Sequence, residues 1–170
     1  MTFEEFAAAR LPAVLRFAGV LTGDRALAED VVQDALIRAS GRWQTIGQLD
    51  RPEAYVRKMI VNEFLSWRRR SWRLVLGGAG GGLGGQPIPD PAADYAERDA
   101  ITTELAKLPR RQRAVLVLRY YQGLSDPEIA EVLGCRPGTV RGYAARALAA
   151  LRAEMAGPPR QPARIRQERI

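Results

Sequence analysis

Along most of this chain apolar residues return every three or four positions, the spacing of helices with one buried face. The clearest case is Leu27, Ala28, Val31, Val32, Ala35, Leu36 and Ala39, whose opposite side carries Glu29, Asp30, Gln33 and Asp34. One face of that helix packs; the other offers carboxylates and an amide to something basic. Ahead of it, Thr2 and Glu5 have the spacing of a capping box, with Phe3, Phe6 and Ala7 as the first buried positions. Pro12 is expected to break this first helix or to begin a second set of turns. Val14, Leu15, Phe17, Ala18 and Leu21 then resume the stripe, and Thr22-Gly23-Asp24 closes it and caps the next helix. Gly41 to Asp50 reads as a loop. Asp50 and Glu53 are expected to cap a long helix with Pro52 in its first turn and Tyr55, Val56, Met59, Ile60, Phe64 and Trp67 on its inner side.

The far end of that helix reads W-R-R-R-S-W-R. Arginines interleaved with tryptophans suit single-stranded nucleic acid, because the cations track phosphates while the rings stack on bases. The plainer alternative, a basic helix end whose tryptophans lie in the core, is favoured for Trp67 and stays level for Trp72. Residues 77–85 then hold seven glycines in nine positions, a flexible linker by composition. Beyond it, Ile101, Leu105 and Leu108 form one stripe, broken by Pro109; Val115, Leu116, Leu118 and Tyr120 form another, ended by Gly123.

Leu124 to Leu151 has the pattern of a helix-turn-helix. Ser125 and Glu128 make a second capping box ahead of Ile129, Ala130, Val132 and Leu133. Gly134 ends that helix, and Pro137 starts another whose inner face is Val140, Tyr143, Ala144, Ala147, Leu148 and Leu151. No acid occurs from Arg136 to Ala153, while Arg141, Arg146 and Arg152 lie on the helix. An ordinary helical hairpin with a solvated arginine face would also fit the caps and the turn; the absence of acids tilts the reading toward DNA.

Composition narrows this further. The chain has 170 residues, enough for one medium or two small domains, and a hydrophobic fraction of 46% that allows a core. Its net charge of +7 favours an anionic partner. Residues 1–50 carry five Arg against seven Asp and Glu, a net of −2, while 51–76 carry seven basic against two acidic residues, a net of +5. That asymmetry suggests two different partners. There is no histidine, and the single cysteine, Cys135, reads as a small packing residue, so no disulfide or His/Cys metal cluster is expected. No apolar run approaches a membrane span, and the acidic, amphipathic N-terminus is unlike a signal peptide, so a cytoplasmic location is expected.

Four segments in order, A-E-D-V-V-Q-D-A-L-I-R-A (28–39), R-P-E-A-Y-V-R-K-M-I-V-N (51–62), L-P-R-R-Q-R-A-V-L-V-L-R-Y-Y (108–121) and L-S-D-P-E-I-A-E-V-L-G-C-R-P-G-T-V-R (124–141), resemble the extracytoplasmic-function (ECF) group of bacterial RNA polymerase sigma factors, in the sigma-70 family. The resemblance implies an all-α protein of two small helical domains joined by the Gly-rich linker. The boundaries expected are 1–76 for a region 2-like bundle, 77–98 for the linker, 99–156 for a region 4-like helix-turn-helix and 157–170 for a basic tail. It implies an initiation subunit with no catalytic residues and no cofactor, which binds core polymerase and promoter DNA.

On the same resemblance, Asp30, Gln33 and Asp34 would dock on the clamp helices of the largest polymerase subunit, and the second domain would meet the flap of the second-largest. Trp43 and Asn62 would hold a flipped base of the minus-ten strand, with Arg57, Lys58, Arg68, Arg69 and Arg70 on phosphates. Arg136, Thr139, Arg141, Gly142, Tyr143 and Arg146 would face the minus-thirty-five duplex. Two departures stand out: Arg136 replaces the family's usual Ser cap, and Gly142-Tyr143 replaces a usual Ser-Arg pair, so base preference does not carry over. Whether an anti-sigma factor binds is open at this point. The competing reading is a helix-turn-helix regulator that acts without polymerase; an enzyme finds little support in a chain without histidine or a phosphate-binding glycine motif.

Overall fold

The computed structural model describes residues 1–76 and 95–157, with side chains for 1–66 and 100–157. The glycine-rich segment, the tail and the side chains of Trp67, Arg68, Arg69, Arg70 and Trp72 lie outside the described residues. Among those described, the elements are α1 (Phe3–Thr22), α2 (Arg25–Ser40), α3 (Trp43–Ile46), α4 (Pro52–Leu76), α5 (Tyr95–Lys107), α6 (Arg110–Leu116), a π-helical turn (Val117–Tyr121), α7 (Asp126–Leu133) and α8 (Pro137–Ala156).

The first half is a bundle of α1, α2 and α4. Thr2 begins α1 as the capping box requires: its hydroxyl accepts the Glu5 amide at 3.2 Å and its own amide donates to the Glu5 carboxylate at 2.8 Å. Pro12 does not break this helix; it sits inside it, exposed. Proline in a helix interior costs about 3 kcal/mol. Here Phe6 on one side of it and Val14, Phe17, Ala18 and Leu21 on the other are all buried, and that burial offsets the lost backbone bond. Asp24 caps α2 by accepting the Leu27 amide at 2.7 Å, and Ala28, Val31, Val32, Ala35 and Ala39 are buried as the stripe predicts. The expected loop at 41–50 contains a helical turn, α3, because Ile46 is drawn into the core. Tyr55, read as inward-facing, is exposed; Val56, Ile60, Val61 and Phe64 supply the buried side of α4.

The second half wraps α6, the π turn and α7 around α8. Tyr120 does not belong to the inner stripe: it is 65% exposed, while Val115, Leu116, Val117 and Leu118 are buried. The wider turn explains this. The Gln122 amide bonds to the carbonyl of Val117, five residues back, so the three-and-four register slips past Leu118.

The two halves pack on each other, and their buried apolar residues form one cluster. One side chain ties them. Arg113, on α6, is buried and donates to the carbonyls of Leu21 and Thr22 at 3.3 and 2.8 Å, and to those of Ala106 and Leu108 at 2.5 and 3.2 Å. The first two are the last carbonyls of α1, which has no basic residue in its own last turn; the others lie at the end of α5. A single guanidinium thus serves the unsatisfied, partially negative C-termini of two helices. Arg110 beside it donates to the Phe64 carbonyl of α4 at 2.5 Å, with its guanidinium 4.8 Å from the Phe64 ring centre.

Candidate nucleic-acid interface

In the helix-turn-helix, the amide and hydroxyl of Ser125 both donate to the Glu128 carboxylate, at 2.8 and 2.7 Å. Those two bonds, the amide first, hold the Glu128 pKa below its ordinary value, with attraction from Arg51 adding to them. Asp126 pairs with Arg119 and so fixes the start of α7 to the π turn. The turn depends on Gly134, whose φ of 62° is the left-handed conformation that glycine reaches without strain; its amide donates to Ala130 and the Cys135 amide does the same at 3.0 Å. Cys135 is half-buried against the core.

The second helix, α8, packs through Val140, Ala144 and Ala147. Its outer side exposes Arg136, Thr139, Arg141 and Arg146, and Arg136 makes no side-chain cap bond. Pro137 brings no N–H to this opening, and the Thr139 and Val140 amides donate to the Arg136 carbonyl at 2.9 and 3.2 Å, so anion contact at this end falls to the side chains. Gly142 is half-buried between these residues; a Cβ there would meet only the Arg146 guanidinium, at 3.6 Å. Tyr143 is half-buried, and Arg146 stands 5.3 Å over its ring. The structure therefore gathers Arg136, Thr139, Arg141, Gly142, Tyr143 and Arg146 on one helix, with four of them fully at the surface.

On α4, Asn62 is exposed and Lys58, one turn earlier, is half-buried, so an amide and a cation share a face. Arg57 is engaged: it pairs with Glu53, donates to Gln122 of the other half, and lies 5.5 Å from the Phe17 ring centre. Trp43 is half-buried, with Phe3 and Phe6 ring centres 5.5 and 4.7 Å away and its indole N–H donating to the Met1 carbonyl at 3.1 Å. Gly47 makes room for that ring, since a Cβ would come within 2.9 Å of the indole nitrogen. On α2, Asp30 and Gln33 are exposed and Asp34 is half-buried. Beside them runs an apolar cleft between α1 and α2, lined by Leu11, Leu15, Val32, Leu36 and the 62% exposed Ile37.

Sequence reasoning passed over Arg113, Arg110, Gln122 and Glu63. Glu63 is a buried carboxylate on α4 that pairs with Arg38 of α2 at 2.5 Å. A signal for Arg113 existed: it is one turn before Val117, and so on the inward side of its helix.

A recognition helix free of acids as far as Ala153, held by a helix-turn-helix and joined to a second helical unit with a basic helix, defines a DNA-binding protein of the helix-turn-helix class. Residues 6–74 match the family model for sigma-70 region 2, and residues 98–151 that for sigma-70 region 4. The chain is 36% identical over 156 residues to an RNA polymerase sigma-E factor of Streptomyces coelicolor, covering 91% of this chain and 86% of that protein. It is 40% identical over 142 residues to the ECF RNA polymerase sigma factor SigL of Mycobacterium tuberculosis, covering 78% of each. Among solved structures it resembles the sigma factor RpoE bound to the anti-sigma factor NepR from Bartonella quintana, with a TM-score of 0.73, 26% identity, and 91% and 97% of the two chains covered. The chain belongs to the ECF group of sigma-70 RNA polymerase sigma factors. It is a transcription initiation factor that binds core RNA polymerase and promoter DNA, and a regulator working without polymerase is not favoured.

Proposed function

We propose that three faces divide the work of this sigma factor. Asp30, Gln33 and Asp34 on α2 dock on the clamp helices of the largest polymerase subunit, and the second half meets the flap. Asn62, Lys58 and Arg57 on α4, with Arg68, Arg69 and Arg70 further along the helix, hold the minus-ten strand; Trp43 keeps part of its ring open for stacking on a base. Arg136, Thr139, Arg141, Gly142, Tyr143 and Arg146 meet the minus-thirty-five duplex. The observation that carries this reading is the outer side of α8, which exposes four polar or cationic side chains with no acid between Arg136 and Ala153.

The protein acts by binding and positioning, with no chemistry of its own, and its place is the cytoplasm with the polymerase; among the described residues no helix is long and apolar enough to cross a membrane. An anti-sigma factor is a further proposed partner, supported by the RpoE–NepR likeness. Transcription by core polymerase on a randomised promoter library tests the reading. Two enriched sequence blocks at minus-ten and minus-thirty-five spacing are expected; enrichment of one block alone would remove one of the two DNA faces.

A further inference from the structure

The arginines on the outer side of α8 stand in different surroundings. Arg136 and Arg141 are exposed, and among the described residues neither is held by a ring or a carboxylate. Arg146 is held. Its guanidinium stands 5.3 Å over the ring of Tyr143, one turn back. A terminal nitrogen of the same guanidinium is the one neighbour that a Cβ on Gly142 would meet, at 3.6 Å. The group therefore folds back along the helix and rests on an aromatic face with bare backbone beside it. Tyr143 is itself anchored, being half-buried and packed against the core. Among the described residues no carboxylate pairs with Arg146, so the ring fixes the place of the charge without neutralising it. Arg146 is the tenth residue of α8. At 1.5 Å per residue it lies about 14 Å along the axis from the opening. Base edges are reached from the first turns of a recognition helix, so a cation this far along is placed for the phosphate wall of the groove.

We propose that Tyr143 is a positioning residue for the minus-thirty-five contact: its ring holds the Arg146 guanidinium ready for one DNA phosphate, so that Arg146 supplies affinity and orientation while base choice falls to the side chains nearer the opening. The inference rests on the minus-thirty-five role proposed for α8. A guanidinium lying on a ring keeps its in-plane N–H groups free, and that fork matches the oxygens of a phosphate. An unheld arginine loses rotamer freedom when it binds; one already resting on a ring has lost much of it beforehand. Gly142 belongs to the same device, since a side chain longer than a methyl group would compete with the guanidinium for its place.

The test uses the full chain assembled with core polymerase, on a promoter fragment taken from the randomised library, with dissociation constants measured from about 0.1 to 0.3 M salt. Tyr143→Leu keeps apolar bulk against the core and removes the ring. It should weaken binding about threefold, alike on fragments that differ by one base pair in the minus-thirty-five block. Tyr143→Phe restores the ring and should recover wild-type binding. Arg146→Ala should lower the salt slope by about one unit, and adding Tyr143→Leu to it should cost nothing more. A Phe variant as weak as the Leu variant overturns the proposal, because the hydroxyl and not the ring then matters. An undiminished loss from Tyr143→Leu after Arg146 is removed overturns it too. Relaxed preference at one base pair in Arg146→Ala, with the slope unchanged, overturns the phosphate contact. If Arg136→Ala with Arg141→Ala leaves promoter binding intact, the minus-thirty-five reading of α8 itself fails; if that pair weakens binding while Tyr143→Leu does not, the positioning role alone falls. Should Tyr143→Leu misfold, nuclear magnetic resonance of the wild-type chain replaces it. The Arg146 Nε–H proton should carry a ring-current shift that the Arg141 proton lacks, and matching signals overturn the stack.

Discussion

Arg113 shows how much one buried cation can govern. Burial lowers its pKa, with Arg110 nearby acting in the same direction, yet four carbonyls surround it. Arg113→Ala would leave those helix ends without their donor, and a loss of about 3 kcal/mol is expected from chemical denaturation. Arg113→Lys should recover less than half of it, because an ammonium cannot span two helix ends as the planar fork does. Glu128 supplies a pH dependence. Its folded pKa is depressed, so the stability it adds at the start of α7 is fully present above its ordinary value of 4.5 and is lost as pH falls through the lower, folded value. Stability measured across that acid range should decline less steeply in Glu128→Gln than in the wild type, and parallel curves would count against the Ser125 bonds as the cause.

The helices themselves carry separable tasks. Gly142 lies within α8 with ordinary space for a methyl group, so Gly142→Ala should raise thermal stability by about 0.5–1 kcal/mol through helix propensity alone. If the glycine serves close approach of the backbone to DNA, the same variant binds the minus-thirty-five duplex less well, and the two measurements together separate a structural from a functional glycine. On α2, Asp30→Arg with Asp34→Arg alters the side opposite the buried Val31, Val32 and Ala35. The circular dichroism spectrum should hold while retention by core polymerase is lost in a pull-down; retained binding by a folded double variant would move the docking face elsewhere. The apolar cleft beside these carboxylates, with Ile37 exposed, gives α2 a surface that is acidic along one side and oily along the other.

At the scale of the molecule, the arginine clasp joins two units that composition alone would leave independent. The close approach is steric as well as polar: a Cβ on Gly23, at the end of α1, would lie 2.9 Å from the Ala106 Cβ. Units sharing such an interface should melt together. Calorimetry of the full chain is expected to give one transition, and Arg110→Ala with Arg113→Ala to split it into two. A double variant that still melts in one step would mean that the apolar contact between the halves suffices without the clasp.

Much of this protein was legible before any tertiary structure. The stripe from Leu27 to Ala39, the capping boxes at Thr2 and Ser125 and the glycine at 134 all act within a few residues of the chain, where spacing and side-chain chemistry settle the outcome. For the same reason the acid-free run from Arg136 to Ala153 could be read as a helix with an exposed cationic side from its letters alone. Pro12, Tyr120 and the segment 41–50 departed from their local signals because distant packing overruled them: burial on both sides of Pro12 carries α1 through it, a π turn rotates Tyr120 outward, and the core folds Ile46 into a helical turn. The bond from Arg57 to Gln122 and the capping of α1 by Arg113 join positions 65 and more than 90 residues apart. No local pattern encodes such a meeting, since it depends on where two separately folded units come to rest.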